Sequence, residues 1–295
     1  MPKNAALSYP IQEPVRPGGR QSPLVSKDPH RLNDLDLDSW KDYPEILTDS
    51  LWIMPERDST GVHSAEYHGN FIPQIPHQMM LRYTRENDVV LDPFLGMGTT
   101  MLEGLRLGRH VIGVELQESV CHATRSIIQK AANPHGVSSH ILCADSCGPQ
   151  ARELVAARLE ELKRDRAQLI VLHPPYHDII HFSKLENDLS NAQDLSRFLH
   201  MFGDVVANFA SLLESRRYLV LVIGDKYADG EWVPLGSRTM DVVIKNGFTL
   251  KSWVIKNMSG NRAKRNLDNL WRYRALRGGF YIFKHEHVLV FRKDR

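Results

Sequence analysis

Hydrophobic positions along the chain fall into short apolar runs and helical stripes that take turns. Val89-Val90-Leu91 is a compact run suited to a central parallel strand, ended by Asp92-Pro93. The spacing next predicts a helix over 101–107, capped by Thr99 or Thr100 and closed by Gly108. A second strand is expected over 110–116. A helix over 118–132 follows, with Val120, Ala123, Ile127, Ile128 and Ala131 as its apolar stripe, and then a strand over 139–145. A charged amphipathic helix over 150–166 leads to a strand at 169–172. The helix over 194–213 places Phe198, Met201, Phe202, Val205, Phe209 and Leu212 on one face. Strands over 218–223 and 248–255 flank a helix over 233–246, and 280–283 with 286–291 has the pattern of a closing hairpin. Strands alternating with helices predict an α/β fold: a mostly parallel sheet, helices on both faces, and a terminal antiparallel hairpin strand.

The first part of the chain has no such pattern. Up to about residue 38 neither a period of 2 nor one of 3.6 is present, and Pro10, Pro14, Pro17, Gly18, Gly19, Pro23 and Pro29 punctuate scattered charges. A flexible arm is expected over 1–49, with a short helix over 38–47, followed by one domain over 50–295. Residues 50–76 are rich in turns, aromatics and histidines, and a helix is expected over 77–83.

Around the first strand the pattern acquires chemistry. Gly96 and Gly98 let the backbone turn sharply and approach a ligand closely. A helix start behind such a turn presents free N–H groups and the positive end of a dipole. A lone Gly-x-Gly would mean little, but the whole string Asp92-Pro93-Phe94-Leu95-Gly96-Met97-Gly98-Thr99-Thr100 is more specific. It resembles the S-adenosylmethionine-binding motif of the amino-group DNA methyltransferases, which modify cytosine N4 or adenine N6. A second motif of that family, X-Pro-Pro-Tyr at the end of a later strand, is matched by His173-Pro174-Pro175-Tyr176 after the strand over 169–172. The resemblance runs from about Tyr67 to the C-terminus. It implies a Rossmann-like methyltransferase fold, S-adenosylmethionine as cofactor and DNA as partner. It also leaves room for a partner restriction endonuclease or phage-defence components.

The same resemblance distributes roles. Phe71, Ile72 and Pro73, just before the helix over 77–83, would close over the cofactor, although they could equally be ordinary core contacts. Asp92, Pro93, Phe94, Gly96, Gly98, Thr99 and Thr100 would cradle it. Glu115, an acid about 20 residues past the turn at a strand end, fits the ribose position, with Leu116 beside it. Asp145 and Ser146 would hold the adenine. His173, Pro174, Pro175 and Tyr176 would act on the base. An exocyclic amine is a poor nucleophile because its lone pair is delocalised. Pre-aimed acceptors, here the Pro174 carbonyl and the side chain at 173, favour the reactive geometry. Two prolines stiffen the loop, and Tyr176 offers a face for an extruded base.

Position 173 departs from the family, which uses Asp, Asn or Ser there. A neutral imidazole can accept a hydrogen bond and an imidazolium cannot, so an ordinary pKa of about 6.5 would switch the acceptor off below neutrality. The departure leaves the target base open. The segment before the glycine turn leans to cytosine N4, and a non-catalytic cofactor-binding relative is a competing reading. His173, His177 and His181 are spaced four apart, but Pro174 and Pro175 preclude a helix through them, and no metal site is expected. His285 and His287 straddle Glu286 and are expected to be surface residues.

Composition narrows the setting. A hydrophobic content of 42% and a charged content of 24% are those of a globular domain. No apolar run approaches the ~20 residues of a membrane helix. The three cysteines are too few for a disulfide framework, and a cytoplasmic setting without membrane contact is expected. Cys143 and Cys147 are expected to be small buried residues. The net charge of +2 is unremarkable, yet the stretch over 256–280 holds seven cations and one carboxylate, with Asn, Trp and Tyr interleaved. A basic loop there would contact phosphates, with Arg262, Lys264, Arg265, Arg272 and Arg274 as its contacts. An RNA base methyltransferase is the alternative substrate reading, lowered because no separate RNA-binding module is evident.

Overall fold

The apolar runs all enter one sheet. A computed structural model describes residues 32–54, 56–61, 70–258 and 268–294. In chain order its elements are β1 (Leu51–Trp52), α1 (Gln74–Tyr83), β2 (Val89–Asp92), α2 (Thr99–Leu107), β3 (His110–Glu115), α3 (Glu118–Ile128), β4 (Ser139–Cys143), α4 (Pro149–Glu161) and β5 (Ala167–Leu172). These are followed by α5 (Leu195–Ala210), β6 (Leu213–Ile223), β7 (Lys226–Ala228), β8 (Glu231–Val233), α6 (Leu235–Lys245), β9 (Phe248–Asn257), α7 (Asp268–Gly278) and β10 (His285–Lys293). The eight-stranded sheet has the order β1-β9-β10-β6-β5-β2-β3-β4, and β7 and β8 form a separate ribbon. Strands β2 to β6 pair in parallel, and β10 runs antiparallel to both β6 and β9. The expected architecture, a mostly parallel sheet with an antiparallel C-terminal strand and helices on both faces, is the one observed.

Side-chain alternation divides the core. Val89 and Leu91 of β2 join Ile112, Val114, Ile170 and Leu172 on the face covered by α4, α5 and α6. Val90 joins Val111, Leu169, Val171 and Val220 on the face covered by α1 and α2. The stripe on α5 is buried as its spacing requires: Phe198, Met201, Phe202, Val205 and Phe209 are sealed, while Leu212 lies just past the helix end. Asp194 caps this helix, accepting from the Arg197 N–H at 2.7 Å.

Two local expectations differ. Residues 280–283 form no strand. Phe280 and Phe283 instead pack on Tyr227, with ring centroids 4.8 and 5.1 Å away. Val288 to Phe291 is buried on both faces, which suits a strand with neighbours on both sides, so β10 lies between β6 and β9. Cys143 is exposed, because it sits on the edge strand β4. Residues 32–49 lie against the domain. The Asn33 side chain donates to the Arg82 carbonyl at 2.7 Å, Arg109 pairs with Asp34 at 2.9 Å, and Gln78 holds both the Leu47 N–H and the Glu45 carbonyl. Residues 37–42 form a short 3-10 helix.

Phe202 has no exposed surface and packs on Phe198 at a centroid distance of 6.4 Å. Phe202→Ala is expected to lower the unfolding free energy by about 3–5 kcal/mol, measured by denaturant titration with an unchanged m-value.

Candidate active site

Strands β2, β3, β4 and β5 all point their carboxyl ends to one edge of the sheet. A cavity of about 720 Å³ opens there, within the range of small-molecule sites. The turn after β2 supplies one wall. Asp92 accepts from the Phe94 N–H at 3.0 Å, Leu95 donates to the Val114 carbonyl at 3.0 Å, and Gly96 donates to Glu115 Oε2 at 3.0 Å. Glu115 uses its other oxygen for the Gln117 N–H at 2.9 Å. Its carboxylate is thereby fixed in direction at the cavity wall, and burial raises its pKa. Gly96 and Gly98 both have left-handed backbones, with φ of 51° and 80°, which is where glycine avoids strain.

Of the residues expected around a cofactor, Phe71, Ile72, Pro93, Phe94, Gly96, Thr99, Glu115, Leu116, Asp145 and Ser146 line the cavity. Pro73, Asp92, Gly98 and Thr100 do not. Pro73 precedes the first turn of α1. Asp92 and Thr100 are buried beneath the turn. Gly98 faces away from the cavity: a Cβ there would meet Thr124 Cγ2 at 2.8 Å. A side chain at 98 therefore disrupts the turn against α3 and does not obstruct a ligand directly. Ser146 donates to the Pro93 carbonyl at 2.7 Å, and Asp145 accepts from the Cys147 N–H at 2.9 Å, so the β4 loop is tied to the glycine turn.

The opposite wall follows β5. His173, Pro174, Pro175 and Tyr176 all line the cavity. Phe71 packs on His173 with centroids 4.7 Å apart and the rings tilted by 36°. His173 Nε2 lies 3.2 Å from the Tyr176 hydroxyl, which donates to Glu286 Oε2 at 2.9 Å; Lys256 Nζ donates to Glu286 Oε1 at 2.8 Å. His173 keeps some surface toward the cavity but is enclosed by protein on its other sides. That burial pushes its pKa down to about 4, against the opposing pull of the Glu286 charge. The ordinary histidine value expected from sequence is thus displaced by desolvation. Tyr176 is shifted well above the usual phenol value by burial and by Glu286. It packs tightly on Gly224, where a Cβ would meet its ring at 2.8 Å.

Several lining residues carry no signal in the sequence motifs. Lys256 was expected in a phosphate-binding loop; it is a buried cation of β9 paired with Glu286. Glu286 sits in the apolar β10, and an acid inside such a run was the signal available. Tyr227, Trp271, Phe280 and Phe283 give the far end of the cavity an aromatic lining. Arg262, Lys264 and Arg265 lie outside the described residues. Arg272 and Arg274 are exposed on α7, a helix where a loop was expected, and Arg274 lies over the Trp271 ring at 5.3 Å. His177 approaches the Ala192 carbonyl and Lys226, and His181 approaches Asn191, so these rings do not converge with His173. His287 is buried, not on the surface: it accepts from the Trp253 indole and faces Asp225.

Comparison with known proteins follows the same lines. Residues 26–126 match the family model described as N6/N4 DNA methylase. The type II methyltransferase M.MjaII of Methanocaldococcus jannaschii is 30% identical over 82 residues, 26% of this chain and 15% of that protein. The type II methyltransferase M2.LlaDCHI of Lactococcus lactis subsp. cremoris is 38% identical over 58 residues, 20% of this chain and 22% of that protein. The matches therefore span under a quarter of the length of these curated relatives. Among solved structures, TrmN from Thermus thermophilus has a TM-score of 0.47 at 18% identity, covering 77% of this chain and 50% of that one. A methyltransferase from Pyrococcus furiosus has a TM-score of 0.45 at 14% identity, covering 78% and 88%. Over residues 26–126 the chain is similar to the N6/N4 DNA methylases, and its likeness to the type II methyltransferases is distant.

Asp92 gives this site a testable signature. Its Oδ2 has no hydrogen-bond partner among the described residues, and burial raises its pKa to about 6, although the nearby Thr100 hydroxyl and the Phe94 N–H favour the charged form. An acid with a raised folded-state pKa costs stability as pH climbs from its unfolded value through the folded one. Asp92→Asn removes that titration. The unfolding free energy of the variant minus that of the wild type is expected to move in the variant's favour by about 1–3 kcal/mol between pH 4 and 7. A flat difference would mean that burial does not raise the pKa of Asp92 above its unfolded value.

Proposed function

We propose that the protein transfers a methyl group from S-adenosylmethionine to an exocyclic amine of a DNA base, with cytosine N4 the first candidate and adenine N6 the second. One observation carries the reading: the glycine turn with Glu115 and the His173–Tyr176 tetrapeptide face each other across a single cavity. The donor set suits the cofactor. Glu115 and Asp145 offer carboxylates for ribose hydroxyls and an adenine amine, Gly96 allows close backbone approach, and Phe71 and Ile72 cover the site. S-adenosylmethionine supplies an electrophilic methyl on a sulfonium.

The chain's own residues do the rest. His173 and the Pro174 carbonyl accept from the target amine and favour its pyramidal form. A pKa near 4 keeps the imidazole neutral, hence able to accept, throughout the physiological range. Such a weak base suffices, because an amine that has gained a methyl while keeping both protons is a cation and strongly acidic, and it gives one proton to the acceptor. The aromatic end of the cavity, with Tyr227, Phe280 and Phe283, would receive a base drawn out of its stack. Positioning then contributes much of the rate. Arg274 lies over Trp271, a residue of the cavity wall, and Arg272 is exposed on the same helix, so α7 offers cations to passing phosphates. A restriction endonuclease is the partner that type II relatives suggest.

Incubation with labelled S-adenosylmethionine and separate DNA and RNA pools, followed by digestion to nucleosides, tests this reading. Label in N4-methylcytosine or N6-methyladenine supports it, and label confined to RNA replaces DNA as the substrate. His173→Ala is expected to lose about 10–1000-fold in turnover while cofactor affinity holds. The wild-type rate should stay level from pH 8 to 5 and fall with unit slope as pH drops through about 4, where the acceptor is protonated. Replacing Arg272 and Arg274 by Ala should flatten the plot of log affinity against log salt. The slope should fall by about one for each arginine that neutralises a phosphate.

A further inference from the structure

We propose that Glu286, held by Lys256, fixes the tautomer of His173 through Tyr176, so that the imidazole presents an acceptor and not a donor to the cavity. The use of that acceptor in methyl transfer rests on the function proposed above; the relay itself does not.

The direction of each hydrogen bond follows from what each group can do. Antiparallel register puts Lys256 of β9 directly opposite Glu286 of β10, and both are buried. An ammonium only donates and a carboxylate only accepts, so Glu286 is acceptor on both sides, toward Lys256 at 2.8 Å and Tyr176 at 2.9 Å. The single phenol proton is thereby committed to Glu286. The Tyr176 oxygen can then only accept from His173 Nε2, 3.2 Å away, and Nε2 must carry the imidazole proton. A neutral imidazole has one such proton, which leaves Nδ1 as a bare lone pair. Nδ1 has no partner among the described residues and is not one of the buried polar atoms sealed from solvent. It belongs to a residue that lines the cavity. Phe71, tilted against the ring at 4.7 Å, and Tyr176, edge-on at 5.6 Å, hold the ring plane.

The ion pair has no evident value as a stabiliser, since burying two charges roughly cancels their attraction. Its consequence is polarity. Without Glu286 the phenol proton could turn to Nε2, and the imidazole proton would move to Nδ1. The cavity would then face an N–H, which repels an amine that must donate. Glu286 and Lys256 are positioning residues in this scheme, because they reach the base only through Tyr176 and His173.

Nitrogen-15 histidine spectra of the full chain test the relay without substrate. With the His173 signals assigned by their loss in His173→Asn, the proton is expected on Nε2. In Glu286→Gln the amide oxygen stays with Lys256 and the amide nitrogen turns to Tyr176, which reverses the chain. The His173 proton should then move to Nδ1. Tyr176→Phe cuts the chain without reversing it and should leave a mixture of tautomers; it also serves if Glu286→Gln does not fold. A wild-type proton on Nδ1, or a tautomer unmoved by these changes, overturns the proposal.

In the methylation assay Glu286→Gln should lose about 10–1000-fold in turnover at unchanged cofactor affinity. It should add little further loss in a His173→Asn background, where no tautomer remains to be set. Fully additive losses would mark Glu286 as a structural residue and overturn the proposal. If the tautomer moves as described while the wild type methylates no nucleic acid, the relay stands and the methyltransferase reading falls.

Discussion

Everything at this site depends on where the strand order reverses. Strands β3 and β4 lie to one side of β2, and β5 and β6 to the other, so the loops leaving β2 and β5 diverge and open a crevice at their carboxyl ends. The glycine turn leaves one of these strands and the tetrapeptide leaves the other. The two motifs are far apart in the chain and meet because β2 and β5 are paired neighbours in the sheet. The apolar run of each strand, buried on both faces, fixes the register, and the register fixes which loop residues meet.

That arrangement places charge where water is scarce. Asp92, Glu115 and Glu286 all stand at strand ends or inside strands, and burial raises the pKa of the first two. Each is stabilised in a different way. Glu115 is met by two backbone N–H groups, which orient it toward the cavity. Glu286 is met by a cation and a phenol. Asp92 has the Phe94 N–H and one oxygen without a partner among the described residues, so it is the least compensated of the three. A fold that carries such costs beside a cavity has kept polar groups there at the expense of stability, as active sites commonly do.

How much of this was legible in the sequence depends on distance along the chain. The strands and helices from Val89 to Leu172 were visible because each depends on its own periodicity, and the glycine turn because its geometry is local. The cavity positions of Glu115 and Asp145 were accessible because acids at strand ends share an edge. The fate of 280–283 was not, since a short apolar run is equally compatible with a strand and with an aromatic cluster, and only the packing on Tyr227 and Trp232 decides. The pKa of His173 was hidden for a related reason: a sequence gives the residue but not its desolvation.

The Lys256–Glu286–Tyr176–His173 chain was the least legible feature, and its cause is register. Tyr176 and Glu286 are 110 positions apart, and Lys256 and Glu286 are 30 apart. Lys256 lies in a stretch so rich in cations that its sequence context groups it with the phosphate contacts. A one-residue slip between β9 and β10 would send Glu286 to the opposite face, among the apolar side chains under α6, and leave Tyr176 without its acceptor. The pairing of Val288, Leu289 and Val290 with β6 and β9 prevents that slip, because these residues are fully or almost fully buried and would lose their matched faces together. The apolar packing of the last strand therefore determines which nitrogen of a histidine on the other side of the sheet edge carries the proton. In this way the hydrophobic pattern at the end of the chain reaches the polarity of the cavity.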